Sequence, residues 1–481
     1  MSLEREGGRT LLINPPYTDY FDSDHFKLSR PDRNLSGVNL PLGIGYIASF
    51  LQERGIEVDG LDMEVTQSSL SEIADRVNRE GIRFVGITSV SSIIDKAIRI
   101  GTYLKKNTDA YVVLGGVHAT AEPQETASLE SFDAVAVGEG ELTMLDLVTG
   151  LPPEQVRGLL YRKSGDVKIN PPQPIIEDLD SLPPPAINLF PFDQYRPSLH
   201  RDLDPSIDQP YYTVISSRGC PYSCRFCYSK GVFSYRVRDR SIGNVVDEIE
   251  SFARERGRTK VMFYDDTFSY DRARTLEFCN EVGQRNLDIV WGCNTRVDRV
   301  TPEILAEMRK RGLKRVYVGV ESGNDAILKQ MMKGLTKDKV RKGLAIMADS
   351  GVEVSASYII GVPGETRKTI EETIAFAIEN NTDYAHFYTF TPDPGSPYYV
   401  DLKSRGIIKP YDWLSYGQMI RKGTEALGER IDWAELLEYT REAYRRYYSR
   451  PEYRRMRERK LKTPLEHYQM ELLINEYSGN L

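Results

Sequence analysis

Short apolar runs alternate with segments of helical spacing along the first third of the chain, residues 9–150. The apolar runs predict five strands, over residues 10–14, 57–61, 84–89, 111–114 and 134–137. Helical spacing is clearest over 42–54, where Gly55 marks the stop, and over 95–106. This alternation favours a parallel sheet covered on both faces, whose ligands bind where the strands end. The loops of interest therefore start at Asn14, Asp62, Ser89, Gly115 and Gly138.

The pattern changes over residues 151–210, where prolines interrupt every long periodic element. Proline pairs or triplets occur at 152–153, 171–172 and 183–185. A hairpin is predicted between residues 159 and 169, with its turn at Gly165-Asp166. We interpret this stretch as a linker that wraps between two domains.

A second strand–helix series begins at residue 211. Its predicted strands cover residues 213–216, 260–264, 289–293, 315–320, 354–360 and 385–390. Six strand–helix units of this size predict a barrel or partial barrel, and barrel chemistry gathers where the strands end. The sequence therefore predicts an α/β protein with four parts: a Rossmann-like domain over 1–150, the linker over 151–210, a partial (β/α)6 barrel over 211–400 and a helical region over 401–481.

Composition and charge narrow the class of protein. The chain has 481 residues, of which 40% are hydrophobic and 28% charged, which is typical of a globular protein. A net charge of -7 disfavours a general nucleic-acid binder. Without an apolar run of roughly 18 residues or an apolar leader, we expect a cytoplasmic protein with no transmembrane segment. The basic run over 441–462 is expected to be a solvated helix face; a membrane-surface, substrate-carboxylate or nucleic-acid contact is the alternative.

Three of the five cysteines lie within eight residues of one another. Cys220, Cys224 and Cys227 have the spacing Cys-x3-Cys-x2-Cys and follow the first predicted barrel strand. Thiolates are the ligands of iron–sulfur clusters, and three ligands on a four-iron cluster leave one iron open. The alternatives are three unrelated buried cysteines or a zinc site, which normally takes four protein ligands or three plus water.

This spacing resembles the signature of the radical SAM superfamily, with Phe226 as its aromatic residue before the third cysteine. Further segments that resemble the superfamily's motifs are 263–268, 317–323 and 360–366. The resemblance implies a 4Fe-4S cluster whose open iron is chelated by S-adenosyl-L-methionine (SAM). It also implies a 5′-deoxyadenosyl radical, produced with one electron from an external low-potential donor of the flavodoxin or ferredoxin type. The SAM-binding residues that it implies are Phe226, Asp265, Asp266, Arg296, Glu321, Ser322, Ile360 and Pro363.

Several of these residues have a structural alternative. Asp265 and Asp266 could cap the next helix, and Glu321 could form an ion pair with Arg296 inside the barrel. Gly361 and Gly364 could serve only a tight turn, and Cys279 and Cys293 are expected to be small buried hydrophobic residues.

Residues 1–150 contain no cysteine, which disfavours the methylthiotransferases, because these carry three further cluster cysteines upstream of the barrel. The segments 12–16, 41–48, 86–91, 114–118 and 137–141 instead resemble the cobalamin-binding domain of cobalamin-dependent radical SAM enzymes. A Rossmann-like domain with another ligand, or none, is the alternative. The cobalamin contacts that the resemblance implies are Asn14, Leu42, Gly43, Ser89, Ser91, Gly115, Gly116, His118, Gly138 and Glu139.

The domain departs from the Asp-x-His-x-x-Gly motif whose histidine ligates cobalt in cobalamin mutases. Residues 22–26 do not match it, so His25 is expected to be a loop histidine and the lower axial position stays undetermined. We expect His118 to touch the periphery of the cofactor; a solvated loop histidine is the alternative. Gly115 and Gly116 would let the backbone approach the nucleotide tail, and Ser89 and Ser91 would donate hydrogen bonds to it.

The resemblance implies a cobalamin-dependent radical SAM enzyme that methylates an unactivated carbon. The alternatives are a cyclase, oxidoreductase or ring-contracting enzyme with the same cofactors, and a cobalamin sensor without catalysis. The sequence does not identify the substrate, for which we expect a small molecule, a lipid or a peptide. Tyr358, Tyr388 and Tyr398 are candidate lining residues of its pocket, and packing is the alternative for each. No general base can be named.

Overall fold

The computed structural model describes residues 8–17, 39–195, 202–234, 236–411, 413 and 431–478, so His25 lies outside the described part of the chain. The chain forms two compact units. The first unit contains residues 1–196, 228–238 and 393–416, and the second contains residues 197–227, 239–392 and 417–481. The chain therefore passes from one unit to the other after residues 196, 227, 238, 392 and 416, and the first unit consists of three separate segments.

The first unit is built on a seven-stranded sheet with the order β2-β1-β3-β4-β5-β6-β7. Its strands are β1 (Thr10–Asn14), β2 (Val58–Asp62), β3 (Phe84–Thr88), β4 (Tyr111–Gly115), β5 (Ala134–Ala136), β6 (Leu159–Lys163) and β7 (Asp166–Ile169). The first five pair in parallel, as predicted. The strand order reverses between β1 and β3, and ligands of open α/β sheets bind at the carboxyl side of such a reversal.

Helices cover this sheet because their apolar positions recur at helical spacing. They are α1 (Leu42–Gln52), α2 (Met63–Thr66), α3 (Leu70–Arg79), α4 (Ile94–Asn107), α5 (Val117–Ala121), α6 (Pro123–Ala127) and α7 (Gly140–Val148). The start of α3 is fixed by a capping box, in which Ser69 and Glu72 each accept a hydrogen bond from the other's backbone amide. Buried side chains of α3 and α4, such as Ile73 and Ile100, join the core beside Leu11 of β1.

The predicted hairpin forms, but it belongs to the first sheet. β6 pairs antiparallel with β5, and β7 pairs with β6, so residues 159–169 extend the sheet at its edge. The turn lies at Ser164-Gly165, one residue earlier than predicted, because both residues have positive φ (56° and 87°), as a two-residue hairpin turn requires. This part of the expected linker is therefore sheet.

The second unit contains a six-stranded sheet in which all strands are parallel and follow the order β15-β14-β13-β12-β11-β8. These strands are β8 (Tyr212–Val214), β11 (Thr259–Phe263), β12 (Ile289–Thr295), β13 (Leu313–Glu321), β14 (Glu353–Ile360) and β15 (Tyr384–Thr389); the two-residue strands β9 (Ser217–Arg218) and β10 (Arg238–Asp239) lie between β8 and β11 in the chain. All six predicted strands are present, and the partial (β/α)6 barrel is confirmed.

Helices follow the barrel strands, and three more form the predicted helical region near the carboxyl terminus. They are α8 (Ser229–Phe233), α9 (Ile242–Arg256), α10 (Arg272–Gln284), α11 (Pro302–Lys310), α12 (Asp325–Gln330), α13 (Lys337–Ser350), α14 (Arg367–Asn380), α15 (Pro397–Ser404), α16 (Trp433–Tyr448), α17 (Pro451–Glu458) and α18 (Pro464–Ser478). Of these, α8 and α15 belong to the first unit. Phe387 of β15 packs edge-on against Tyr444 and Tyr447 of α16, so α16 covers the outer face of the barrel. Within the described ranges, no helix is long and apolar enough to cross a membrane.

The basic run over 441–462 is held by carboxylates of the same unit. Arg446 pairs with Glu371 at 2.7 Å, and Arg454 pairs with Glu471. Arg457 and Lys460 both reach Asp383, each at 2.8 Å. Arg446, Arg454 and Lys460 are partly exposed, as a solvated helix face predicts. Arg457 departs from this expectation, because it is buried.

A buried charge cluster closes the amino-terminal end of the barrel. Arg315 donates to Glu353 at 2.6 Å and to the Tyr384 hydroxyl at 3.1 Å, and Arg457 donates to Asp383 at 2.8 Å and to the same hydroxyl at 2.9 Å. Because an unpaired buried charge is strongly destabilising, these partners hold one another in place.

The charge cluster predicts a loss of stability in acid. Burial opposes ionisation of Glu353, but Arg315, Arg457 and Lys314 outweigh it and lower the pKa from 4.5 to about 2. The stabilising contribution is therefore complete above about pH 4.5 and is lost as the pH falls through about 2. Relative to Glu353→Gln, the free energy of unfolding of the wild type should fall by about 2 kcal/mol between about pH 6 and about pH 3, measured by urea denaturation. Parallel pH profiles for the two proteins would contradict this assignment.

Candidate active site

The three clustered cysteines lie on one loop after β9, at the carboxyl end of the barrel strands. Gly219 begins the loop with φ of +103°, a conformation that favours glycine. Cys220, Cys224 and Cys227 are half-buried, and the Cys227 amide donates to the Cys224 carbonyl at 3.3 Å. In the described part of the chain, no three His, Cys, Asp or Glu side chains converge as a metal site. Cluster ligands bind different irons and need not converge on one atom, so the three-thiolate donor set still fits an iron–sulfur cluster.

Asp265 anchors the base of the cysteine loop. Its carboxylate is 1% exposed and accepts hydrogen bonds from the Ser216 amide at 3.2 Å, the Ser216 hydroxyl at 2.8 Å and the Ser217 hydroxyl. Burial raises the pKa of Asp265, and these hydroxyls oppose the rise. The expected direct contact of Asp265 with SAM is not supported, because its oxygens already hold the strand that leads into the cysteines.

Asp266 is exposed at the same strand end. Neither Asp265 nor Asp266 caps the next α-helix, so the helix-cap alternative is wrong for both. Helix α10 is capped by Asp271, which accepts from the Arg274 amide at 2.8 Å. Of the two predicted aspartates, Asp266 is therefore the one whose carboxylate is accessible to a ligand.

Glu321 forms a buried ion pair with Lys333, at 2.7 Å. Its backbone has φ of +70°, which is uncommon for a residue other than glycine and marks a strained position at the bulge that ends β13. The space for the pair comes from Gly319, where a Cβ would lie 1.9 Å from the Glu321 Oε1 atom. The alternative that Glu321 forms an ion pair with Arg296 is wrong. The loop after α12 brings Lys333 to Glu321, and Arg296 pairs with Asp298.

Arg296 is 5% exposed and pairs with Asp298, with its Nε atom 3.0 Å from the carboxylate. Its guanidinium lies 3.8 Å from the ring centroid of Tyr222 in the cysteine loop, and it also donates to the Lys333 carbonyl at 3.1 Å. Lys333 in turn lies 5.7 Å from the centre of the Phe226 ring. Sequence reasoning missed Lys333, and no local signal identifies it.

Ser322 is fully buried and bonds to the Thr373 hydroxyl at 3.1 Å, so it supports the loop after β13 and is not open to a ligand. Ile360 is also buried, at the end of β14, and Pro363 is half-buried in the loop that follows. Gly361 and Gly364 have φ of +90° and +89°, as the turn interpretation expects.

The loop after β14 is organised by Glu365. The Glu365 carboxylate accepts from the Gly361 amide at 2.6 Å and from the Val362 amide at 3.1 Å, while its Oε1 atom is buried without a hydrogen-bond partner.

The three tyrosines predicted to line the substrate pocket differ in exposure. Tyr388 is 45% exposed, but Tyr358 and Tyr398 are buried. Tyr358 stacks on Phe387 beneath α16, so it is a packing residue.

At the carboxyl edge of the first sheet, Asn14 bonds to Asp62, which the sequence analysis named as the start of a loop but not as a site residue. Its side-chain amide donates to Asp62 at 3.0 Å, and the Tyr195 hydroxyl donates to the other Asp62 oxygen at 2.8 Å. Asp62 is fully buried, and burial raises its pKa while Asn14 and Tyr195 oppose the rise. Tyr195 lies far along the chain from these strands, which is why the local pattern did not reveal it.

The glycines at this edge have two different roles. A Cβ at Gly43 or Gly138 would meet nothing within 4 Å, and one at Gly115 would meet only Ala136 at 4.0 Å, so open space adjoins all three. No neighbouring atom within 4 Å therefore prevents a ligand from approaching the backbone at Gly43 or Gly138, and Leu42, beside Gly43, is half-buried. Gly116 differs, because a Cβ there would lie 2.7 Å from Thr88 Oγ1; its small size serves loop packing and not cofactor approach.

His118 is buried, which excludes a solvated loop histidine. Its Nδ1 atom bonds to the Ser91 hydroxyl at 2.9 Å, its ring packs edge-on against Trp413 at 4.5 Å, and its Nε2 atom has no hydrogen-bond partner. Burial lowers the pKa of His118 to about 4, so the ring is neutral at neutral pH. The Ser89 hydroxyl donates to the Val90 carbonyl at 2.8 Å, so both predicted serine donors have partners inside the unit.

Glu139 is a structural anion. Its two carboxylate oxygens accept from the Arg238 guanidinium, both at 2.9 Å, and the Ile176 amide donates to one of them at 2.9 Å. The expected contact of Glu139 with cobalamin is not supported, because Arg238 and Ile176 occupy its oxygens. Among the predicted residues of this edge, Gly43, Gly115 and Gly138 have open space at their Cβ positions, and Asn14 and Leu42 are half-buried.

Two family models match the chain. Residues 214–377 match the radical SAM superfamily, and residues 33–148 match the B12 binding domain. An uncharacterised methyltransferase from Pyrococcus horikoshii is 32% identical over 421 residues, which cover 85% of this chain and 88% of the relative. An anaerobic magnesium-protoporphyrin IX monomethyl ester cyclase from Rubrivivax gelatinosus is 30% identical over 423 residues, covering 85% and 73%.

Solved structures share the fold. The radical S-adenosylmethionine methyltransferase TsrM from Kitasatospora setae, with cobalamin and a 4Fe-4S cluster bound, superposes with a TM-score of 0.73 at 15% identity. The superposition covers 99% of this chain and 100% of that one. The order of the two matched domains is thus the order that the sequence predicts.

Glu365 predicts a second, opposite dependence of stability on pH. Burial raises the pKa of its carboxyl from 4.5 to about 7, and the two backbone amides only partly oppose this. Its contribution to stability is complete below about pH 4.5 and is lost as the pH rises through about 7. Relative to Glu365→Gln, the wild type should lose up to about 3 kcal/mol of unfolding free energy between about pH 5 and about pH 8 in urea denaturation. A constant difference between the two proteins would show that this carboxyl titrates normally.

Proposed function

Because the chain belongs to the radical SAM superfamily and carries a B12-binding domain before its barrel, we propose that it methylates an unactivated carbon of its substrate. The observation that carries the proposal is the three-cysteine loop at the carboxyl end of the barrel, combined with a B12-binding domain that contains no cysteine. The two matched domains imply a 4Fe-4S cluster, SAM and cobalamin as cofactors. When bound, the cluster and SAM supply one-electron chemistry that activates a carbon–hydrogen bond, and cobalamin supplies a methyl group.

We assign Cys220, Cys224 and Cys227 as the ligands of the cluster. The buried Asp265 would hold the strand before Cys220 in register through Ser216 and Ser217. A fixed loop base matters because the three sulfurs must keep the spacing of a rigid cluster.

The residues proposed to hold SAM lie around the ends of the barrel strands. Asp266 offers an accessible carboxylate for the SAM ammonium group, and Glu321 offers a second carboxylate next to Lys333. Phe226 and Pro363 are half-buried and would provide apolar surface for SAM. Ile360 is buried at the end of β14 and would support the loop that carries Pro363. Arg296 and Ser322 act through their neighbours as positioning residues, because their polar atoms already bond to Asp298 and Thr373.

The cobalamin proposal depends on the carboxyl edge of the first sheet. Asn14, Leu42, Gly43, Gly115 and Gly138 would contact the cofactor, because open space adjoins the three glycines. Ser89, Ser91, Gly116, His118 and Glu139 would support this edge through the contacts described above. His118 is covered by Trp413, which argues against its direct approach to cobalt.

A cyclase that uses the same cofactors is the second candidate. The specific observation in its favour is the 30% identity to the Rubrivivax gelatinosus cyclase, which is close to the 32% identity to the methyltransferase. The methyl-transfer proposal has the wider support, since the methyltransferase match also covers more of the relative's own length.

Radical SAM enzymes generally take their electron from an external donor, and we propose a low-potential flavodoxin or ferredoxin in this case. We place the reaction in the cytoplasm, because thiolate-bound clusters of low potential need a reducing compartment. The exposed Tyr388 ring on β15 is the aromatic residue best placed to meet a small-molecule, lipid or peptide substrate.

Removal of a single clustered cysteine should abolish cluster binding. We expect Cys224→Ala to lose the four-iron cluster and at least about 1,000-fold in SAM cleavage, because each thiolate holds one iron and the chemistry starts at the cluster. Cobalamin binding should be unchanged. Iron and sulfide analysis, with 5′-deoxyadenosine formation under a low-potential reductant, would measure this.

The matched controls are Cys279→Ala and Cys293→Ala, because both cysteines are buried away from the loop, in α10 and β12. They should retain full iron content. A Cys224→Ala protein that still holds four irons and cleaves SAM would contradict the ligand assignment.

Product analysis separates the two candidate reactions. The chain, reconstituted anaerobically with iron, sulfide and hydroxocobalamin, should bind cobalamin stoichiometrically and form S-adenosylhomocysteine beside 5′-deoxyadenosine. Formation of S-adenosylhomocysteine is specific to methyl transfer, since only that reaction removes the methyl group of SAM. Turnover of a substrate with 5′-deoxyadenosine alone would favour the cyclase, and failure to bind cobalamin would overturn both candidates.

A further inference from the structure

The peptide segment that follows the last cluster cysteine is built into the first unit. Cys227 ends one segment of the second unit, and residues 228–238 belong to the first. One peptide bond therefore joins a proposed cluster ligand to a segment whose own packing lies within the B12-binding unit.

Tyr228 is the first residue of this segment and is held on both sides. A Cβ at Gly231 would lie 2.0 Å from its ring, and a Cβ at Gly395 would lie 2.2 Å from it, so both glycines make room for the ring. The Tyr228 hydroxyl donates to the Thr120 carbonyl at 3.0 Å, and the Thr120 hydroxyl accepts from the Gly138 amide at 3.0 Å. Tyr228 thus connects to the loop after β5, whose Gly138 adjoins the proposed cobalamin space.

Arg238 fixes the other end of the segment. Its side chain is 1% exposed, and that of its partner Glu139 is 4% exposed. The two form a bidentate ion pair, and Arg238 also donates to the Ile176 carbonyl. A buried guanidinium–carboxylate pair of this kind has a strict geometry, because two parallel hydrogen bonds must be satisfied together. Glu139 directly follows Gly138, so both ends of the segment reach the same loop.

We propose that Tyr228 and Arg238 are positioning residues for Cys227, which make retention of the cluster depend on the order of the cobalamin-site loop at residues 138–139. The inference rests on the proposed function. A ligand that orders this loop would also order the segment that leaves Cys227, and the dependence would be reciprocal, as linkage requires. Cobalamin binding would therefore protect the cluster, and a chain without cobalamin would lose iron more easily.

The test uses the full chain, reconstituted with iron and sulfide, with and without hydroxocobalamin. The rate of iron release to bathophenanthroline is followed by the visible absorbance of the iron(II)–bathophenanthroline complex, against a blank that contains hydroxocobalamin. Cobalamin should slow iron release from the wild type by at least about fivefold, the low end of typical coupling between sites. Arg238→Met should abolish this protection and alter the electron paramagnetic resonance spectrum of the reduced cluster, and Arg238→Lys should restore part of both.

The control is Arg236→Met in the same segment. Arg236 pairs with Glu177 at 3.1 Å, but the two side chains are 70% and 57% exposed, and exposed pairs contribute little. Protection in this variant should match the wild type. If a thermal melt of the apoprotein shows that Arg238→Met does not fold, Tyr228→Phe provides the test. This variant keeps the ring between the two glycines and removes only the hydrogen bond to the Thr120 carbonyl. It should lose a measurable part of the protection of the cluster by cobalamin.

A wild type that holds both cofactors but shows no protection by cobalamin would overturn this inference alone. Equal protection in Arg238→Met and Arg236→Met would do the same. A wild type that takes up no cluster or no cobalamin would instead contradict the proposed function, and this inference would fail with it.

Discussion

Parallel strand pairing is the constraint on which the rest of the structure depends. In the two large sheets of the described chain, the parallel strands send their carboxyl ends to one edge. Short polar loops that are far apart in sequence are thereby collected, such as those after Asn14 and Thr88 in the first unit and after Phe263 and Glu321 in the second. Helical crossovers then cover the sheet faces, so the strand-end edges are left for ligands. In each unit, the strand order alone therefore places a candidate ligand site at the carboxyl ends of the parallel strands.

Several buried charges of the described residues have a partner within their own unit, and Glu365, whose carboxyl accepts only backbone amides, is an exception. Glu321 has Lys333, Glu139 has Arg238, and Glu353 has Arg315. Asp265 has hydroxyl donors instead of a cation. Unpaired buried charges are costly, so such partners fix the loops that carry them. The strained backbone of Glu321 persists for this reason: its ion pair and the space at Gly319 hold a conformation that an isolated loop would leave.

The strands, their parallel pairing and the identity of the cysteine loop could be predicted from the sequence, because periodicity and motif spacing are local signals. The partners of side chains could not. Glu321 selects Lys333 over Arg296, and Asp62 receives Tyr195, because the paths of distant loops decide which groups meet. For the same reason Glu139 and Gly116 lie within motifs associated with cofactor binding, yet their contacts are internal. A motif identifies the loop, and the packing of that loop decides which of its residues stay accessible.

The discontinuous first unit has a consequence for biosynthesis. Its core includes Trp413, and Lys403 pairs with Glu122 and Glu125 of the same unit at 2.6 and 2.7 Å. Although the B12-binding sequence is translated first, its packing cannot be completed until residue 413 has left the ribosome. At about 5–20 residues per second, residue 413 follows the last strand of this sheet by roughly 12–50 s. During this interval all seven strands of the first sheet are already present in the nascent chain, but the core beside them still lacks Trp413.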